Sequence, residues 1–222
     1  SLNAASVRPE TVIARPDQYV GATIYTGNGG TQSINAGLKP DFLWIKSRTN
    51  PSQGAYHHLL DSVRGKSSGF FSSLYSNTNE AENNYAPSTY GGVTAFNDDG
   101  FSLSNVNANT FLNTNPNTYV AWAWKAGGNK NTFNVDDVGY ASAAAAGLTG
   151  GSITPTGASV GTRQGFSIVT FTASGSAGSD SCAHGLNNVP GMVIIKRRDA
   201  ADNWFTWHSS FSNLQRNYLL LD

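Results

Sequence analysis

Gly37-Leu38-Lys39-Pro40-Asp41-Phe42-Leu43-Trp44-Ile45-Lys46-Ser47-Arg48 returns near the other end of the chain as Gly185-Leu186-Asn187-Asn188-Val189-Pro190-Gly191-Met192-Val193-Ile194-Ile195-Lys196-Arg197-Arg198. Pro40 falls on Pro190 and Lys46 on Lys196, about 150 residues further on. That interval is far too long for a solenoid or propeller unit, so each copy reads as a whole domain. The match extends outward on both sides. Tyr25-Thr26-Gly27-Asn28-Gly29 lines up with Phe171-Thr172-Ala173-Ser174-Gly175, and His58-Leu59-Leu60-Asp61-Ser62 with Phe205-Thr206-Trp207-His208-Ser209 once about three loop residues are deleted. Such a pattern, strands in register and loops variable, is what a duplicated scaffold leaves. The first copy then runs on for about fifty residues to Trp124, while the second meets Asp222. The expectation is one complete domain and the first half of a second, in a chain that starts at Ser1 without a methionine as a fragment of a longer polypeptide would.

The 222 residues leave room for one large or two medium domains, and their 13% charged residues divide into 14 basic and 14 acidic side chains. Capture of nucleic acid through its phosphates needs a basic stripe. Here the basic residues are scattered apart from Lys196-Arg197-Arg198, which reads as a strand end with solvated charges, so no nucleic-acid partner is expected. The single Cys182 cannot form an intrachain disulfide and gives no sign of an oxidising compartment. No signal peptide is recognisable and no apolar run approaches the roughly twenty residues of a spanning helix, so membrane insertion is not expected either. Twenty-four glycines, abundant Asn, Ser and Thr, and 11% aromatics predict many short strands joined by tight turns, an all-β chain.

Along the chain, residues 1–19 read as an irregular N-terminal arm broken by Pro9 and Pro16. Residues 20–127 form the first domain, 128–163 a Gly/Ala/Ser/Thr-rich linker with docked structure of its own, and 164–222 the truncated second domain. Phe42 to Lys46 alternates as a buried strand with Phe42 and Trp44 on one face. In Thr94-Ala95-Phe96-Asn97-Asp98-Asp99-Gly100-Phe101-Ser102-Leu103 the Asp-Gly step between alternating apolar runs predicts a two-residue hairpin turn with positive φ. Tyr119-Val120-Ala121-Trp122-Ala123-Trp124 places Val120, Trp122 and Trp124 on one face, expected to fill the core of a sandwich rather than serve as a sugar-stacking platform. Ala141 to Gly147 offers at most one or two helical turns ended by the glycine.

No constellation assembles into a catalytic or metal site. His57, His58, His184, His208 and Cys182 lack ligand spacing, and Asn97-Asp98-Asp99-Gly100 lacks the alternating ligands and distal glutamate of a calcium loop. Asp61-Ser62-Val63-Arg64-Gly65 has no nucleophile elbow around Ser62 and reads as a structural loop clamp between Asp61 and Arg64. Glu80 and Glu82 lie in an Asn/Thr-rich loop and read as solvated rather than as a glycosidase pair. Gly27-Asn28-Gly29-Gly30 is followed by no helix that could cradle a phosphate. The chain is therefore expected to be no enzyme and to use no cofactor.

Five ordered blocks carry a resemblance: Tyr25 to Gly29, Lys39 to Arg48, Asp61 to Gly65, Phe96 to Leu103, and Tyr119 to Lys125. Gly139-Tyr140-Ala141-Ser142, Ile153 to Val160 and Gly165-Phe166-Ser167-Ile168-Val169 extend it. In these the chain resembles a repeat domain found in virion structural and tail-fibre proteins of marine tailed phages, cyanophages especially. The second copy departs from that pattern in reading His208-Ser209-Ser210-Phe211-Ser212 where the first has the Asp-Ser-Val-Arg-Gly block. The resemblance implies a lectin-like antiparallel β-sandwich of jelly-roll or concanavalin type on the particle surface, with other virion proteins and host cell-surface polysaccharide as partners. It also implies a homo-oligomer, a trimer as in phage fibres. For a polysaccharide site the candidates are aromatics in loops beside amides, since flat rings stack on sugar faces and amides bond hydroxyls: Tyr85, Tyr90 and Asn84 first, then Tyr56 and Trp204 in equivalent loops of the two copies. An assembly module contacting only virion proteins is the alternative, and a depolymerase working through Asp61 or Glu82 a third.

Overall fold

The computed structural model describes residues 15–49, 56–107, 111–175, 180–211 and 218–221. Pro9 and the arm before Arg15 lie outside these residues. Pro16 opens a short 3-10 turn, Pro16–Gln18, in which its missing N–H is no loss. The strands, in chain order, are β1 Val20–Thr26, β2 Gln32–Asn35, β3 Phe42–Ser47, β4 His58–Asp61, β5 Lys66–Ser67, β6 Phe70–Phe71, β7 Leu74–Tyr75, β8 Gly92–Asn97, β9 Gly100–Ser104, β10 Thr118–Trp124, β11 Phe133–Val135, β12 Val138–Tyr140, β13 Gly157–Gly161, β14 Phe166–Thr170, β15 Met192–Lys196, β16 Trp204–His208 and β17 Leu219–Leu220. A single helical turn, α1 Pro87–Tyr90, interrupts them. The chain is all-β, as expected, and nearly every pairing is antiparallel.

Two sheets make the first sandwich. The larger, in the order β1-β10-β3-β4-β7, lays one face on the three-stranded sheet β2-β9-β8. Its core-facing residues are Tyr25, Leu43, Ile45, Leu60, Tyr119, Ala121 and Ala123, set against Ile34, Val93, Phe96, Phe101 and Leu103. Phe42 and Trp44 share a face of β3, as expected, while the core face of β10 is the reverse of the expected one. Phe42, Trp44, Trp122 and Trp124 point away from the core, and Trp122 is 36% exposed. The reason is volume: Ala121 and Ala123 of β10 leave room for Phe96, Phe101 and Leu103 from the opposite sheet, and large-against-small filling reaches core density without strain. Tyr25 stacks on Tyr119 at 5.0 Å and donates its hydroxyl to Leu112 O, so the polar tips of these buried rings are satisfied.

The hairpin β8–β9 forms where expected, with Asn97 opposite Gly100, but Asp98 and Asp99 occupy its turn and neither has positive φ. Gly100 is required for another reason. A Cβ there would stand 1.9 Å from Ile34 O, so the glycine is what lets β2 lie against β9. Positive-φ hairpin turns lie elsewhere: Ser68 and Gly69, with φ of 52° and 87°, join β5 to β6, and Asp136 and Asp137, with φ of 47° and 68°, join β11 to β12.

Residues 128–163, expected as a linker, carry a sheet of their own. β12-β11-β13-β14 encloses Phe133, Ala143, Leu148, Ala158 and Val160, and β14, expected to open the second domain, pairs with β13. Ser142 caps the single alanine turn by accepting from Ala145 N–H, and Leu148 N–H reaches Ala143 O across Gly147 at φ 71°. Asp41 ties this unit to the sandwich. Fully buried, it accepts from the amides of Ala126 and Gly128 and from Ser62 Oγ, and burial raises its pKa against those bonds.

The last sheet, β15-β16-β17, reproduces part of the first. In β3–β4, Phe42 faces Asp61, Leu43 faces Leu60, Trp44 faces Leu59 and Ile45 faces His58. In β15–β16, Met192 faces His208, Val193 faces Trp207, Ile194 faces Thr206 and Ile195 faces Phe205, the same pairs under the sequence alignment. The third strands agree as well, His58 opposite Tyr75 in β4–β7 and Phe205 opposite Leu220 in β16–β17. The difference lies at the edge: β10 covers β3, whereas among the described residues β15 has no second neighbour. Ile195, Phe205 and Leu220, on the face that corresponds to the first core, are 47%, 38% and 46% exposed.

Candidate functional site

Three of the five residues picked as carbohydrate candidates converge. Tyr56, Tyr85 and Tyr90 stand around Phe111, with ring centroids 5.9, 5.3 and 4.5 Å from it, and Tyr56 and Tyr85 lie 4.7 Å apart with their hydroxyls hydrogen-bonded to each other. All four rings are half-buried, and Asn84 beside them is exposed. Beneath them lie Tyr75 and His58, both buried, edge to face at 5.0 Å.

Local sequence explains how the loop residues arrive there. Asn83 takes positive φ, 55°, and its amide bonds Ser73 N–H and Ser72 Oγ, which turns the chain back over β7 and presents Asn84 and Tyr85. Pro87 then starts α1 and Gly91 ends it, which sets Tyr90 against Phe111. His57 N–H is held by Asn77 Oδ1, fixing the strand entry behind Tyr56. Phe111, Tyr75 and His58 were not among the candidates. Phe111 carries the same signal, a lone aromatic in an Asn/Thr-rich loop, and was within reach; Tyr75 and His58 sit in strands and gave none.

Trp204 stands apart from the others. It opens β16 and is buried on Leu59, Leu74, Phe42 and Trp44, and its Nε1–H donates to Tyr75 O at 2.9 Å and Thr78 O at 3.0 Å. Its ring offers no face for a sugar. It faces inward because the outer face of the large sheet, apolar through Phe42, Trp44 and Leu59, needs a cover.

The electrostatics are those of neutral donors. The Tyr85 hydroxyl is held well above its ordinary pKa by its bond with Tyr56 and by burial, and that of Tyr75 chiefly by burial, so both stay protonated. Among the described residues His58 finds no hydrogen-bond partner for either ring nitrogen, and burial, with Lys46 and His57 adding to it, pushes its pKa down to about 3. The arrangement can stack on apolar ring faces and offer hydroxyls and an amide to a polyol.

Asp61 and Arg64 meet in a buried network. Arg64 Nε donates to Asp61 Oδ2, Nη1 to Glu82 Oε1 at 2.9 Å and Nη2 to Leu59 O at 2.8 Å, while Asp61 Oδ1 caps the amides of Val63 and Arg64. Glu82 is not solvated as expected: its side chain is 13% exposed and also takes Arg198 Nη2 at 2.7 Å. Arg198 is exposed, as expected of a strand end, yet its guanidinium also closes the outer side of this network on Glu82, and neither carboxylate faces a cleft. A separate cavity of about 150 Å³, lined by Tyr19, Lys125, Asp136, Asp137, Arg163 and Gln164, falls below the roughly 300 Å³ of an ordinary ligand pocket. Its walls pair with each other, Lys125 Nζ with Asp137 Oδ2 at 2.6 Å. Among the described residues no three His, Cys, Asp or Glu side chains form a metal-holding group, and no helix is long and apolar enough to cross a membrane.

The molecule is thus an antiparallel β-sandwich protein with an aromatic cluster at its surface. Residues 15–222 match the family described as Domain of unknown function (DUF7483), and the chain belongs to that family. No curated protein and no solved structure matches it.

Proposed function

We propose that the chain is a non-enzymatic attachment module of a virion, a tail-fibre or receptor-binding component that holds host surface polysaccharide at the Tyr56–Tyr85–Tyr90 cluster. The observation that carries this reading is the convergence of three tyrosines from two segments, Tyr56 before β4 and Tyr85 and Tyr90 between β7 and β8, on Phe111, beside the exposed amide of Asn84. Rings stacking on sugar faces and neutral hydroxyls meeting sugar hydroxyls need no charge, which suits a chain with balanced acids and bases. Tyr85→Ala and Tyr90→Ala lose binding to host cells or to a glycan array while melting as the parent does. Retained binding in both removes the site.

The paired registers of β3–β4–β7 and β15–β16–β17 support the reading of the chain as two copies of one module. The apolar face of Ile195, Phe205 and Leu220 favours a second role, assembly with other virion proteins or with copies of itself as a homo-oligomer. Location in a particle map separates a fibre tip from a spacer.

A further inference from the structure

The segment that carries the tyrosine cluster has a second side. Residues 75–84 run between the cluster and the loop that joins β15 to β16, and that loop grips them along their length. Trp204 Nε1–H donates to Tyr75 O and Thr78 O. Asp202 N–H donates to Asn79 O at 2.8 Å, and Lys196 Nζ to the same carbonyl at 3.2 Å. Glu82 N–H donates to Arg198 O at 2.9 Å, while the Glu82 carboxylate takes the Arg198 guanidinium with one hand and Arg64 with the other. Tyr75 itself contacts Tyr56 and Tyr85 at centroid distances of 5.3 and 5.5 Å. The backbone that sets these rings is therefore held by carbonyls and an amide whose partners come from more than 110 residues away in sequence.

We propose that the β15–β16 hairpin is a clasp that positions the tyrosine site, with Trp204, Arg198 and Lys196 as positioning residues, so that ligand occupancy and hairpin docking stabilise each other. This rests on the carbohydrate reading only for the identity of the ligand. A bond that fixes Tyr75 and Glu82 lowers the conformational cost that a ligand would otherwise meet in ordering Tyr85, and by linkage the ligand must return the same free energy to the docked hairpin. Trp204 is the centre of the device, because its ring fills the gap over Leu59 and Leu74 while its one N–H spans two carbonyls of the gripped segment.

The test uses the whole chain and the variants Trp204→Phe, which keeps an apolar ring and loses the N–H, and Arg198→Ala. Amide hydrogen exchange and binding of host polysaccharide are both measured. The clasp predicts exchange about tenfold faster at Thr78 and Glu82 in the variants, as expected for the loss of one or two hydrogen bonds. Amides of β8–β9 stay unchanged, polysaccharide binding weakens several-fold, and in the parent chain the ligand slows exchange at Asp202, which the site does not touch. Unchanged exchange at Thr78 and Glu82 in both variants overturns the clasp, and so does uniform acceleration through β8–β9, which marks mere loss of stability. Failure of Tyr85→Ala to alter polysaccharide binding sinks the carbohydrate reading alone and leaves the exchange result to decide the clasp.

Discussion

His58 is a buried imidazole beside Tyr75 and Phe111 whose two nitrogens have no partner among the described residues, and its neutral form is held there by the cost of desolvating a charge. Its pKa falls from an ordinary 6.5 to about 3 in the folded protein. As pH drops through that window the unfolded chain binds a proton that the folded one refuses. Stability is therefore full above about 6.5 and is lost toward about 3, with a slope of up to about 1.4 kcal/mol per pH unit. In the sequence alignment the equivalent residue is Phe205, a ring of similar size without the nitrogens. We expect His58→Phe to leave stability at neutral pH equal or higher, and to flatten its fall between pH 6.5 and 4 in urea titrations. An undiminished pH slope in the variant would show that another group governs acid sensitivity. Residue by residue, the site was partly legible in the chain. Tyr56, Tyr85 and Tyr90 stood out because aromatics in Asn-rich loops have no local reason to be there. Trp204 carried the same outward signal, and only the need to cover Phe42 and Trp44 sends it inside.

Elements follow local chemistry closely except where a neighbouring layer decides. The hairpin β8–β9 was legible from its Asp-Gly step, yet Gly100 answers to the approach of β2 rather than to its own turn, a cause no local pattern contains. Gly100→Ala should accordingly lower stability by about 3 kcal/mol, the upper end of overpacking costs, read as a fall in the urea midpoint. A neutral result would mean that β2 can retreat without loss. In β10 the alternation was legible but not its direction, because both faces are apolar and the opposite sheet's Phe96, Phe101 and Leu103 choose the alanines. The Asp61–Arg64 clamp was visible as an acid and a base three residues apart, but Glu82 and Arg198 join it only through the fold. Arg64→Met leaves Glu82 with Arg198 but strands Asp61 without its cation in a buried site, and should cost about 3 kcal/mol. A loss below 1 kcal/mol would show that water reaches the network.

At the scale of the molecule, one closed sandwich supports a second sheet of matching register whose inner face lacks its cover among the described residues. Faces of this kind associate. Sedimentation of the chain should show concentration-dependent association that Phe205→Asp abolishes, with the tyrosine cluster untouched. A parent chain that stays monomeric at every concentration would refute the assembly role. The attachment role is tested most directly by adding fragments of host surface polysaccharide to the chain and following backbone and ring resonances by NMR. Attachment at the cluster requires shifts at Tyr56, Asn84, Tyr85, Tyr90 and Phe111 that saturate together, and silence around Trp122. Shifts centred on Trp122, or none at saturating fragment, would contradict it.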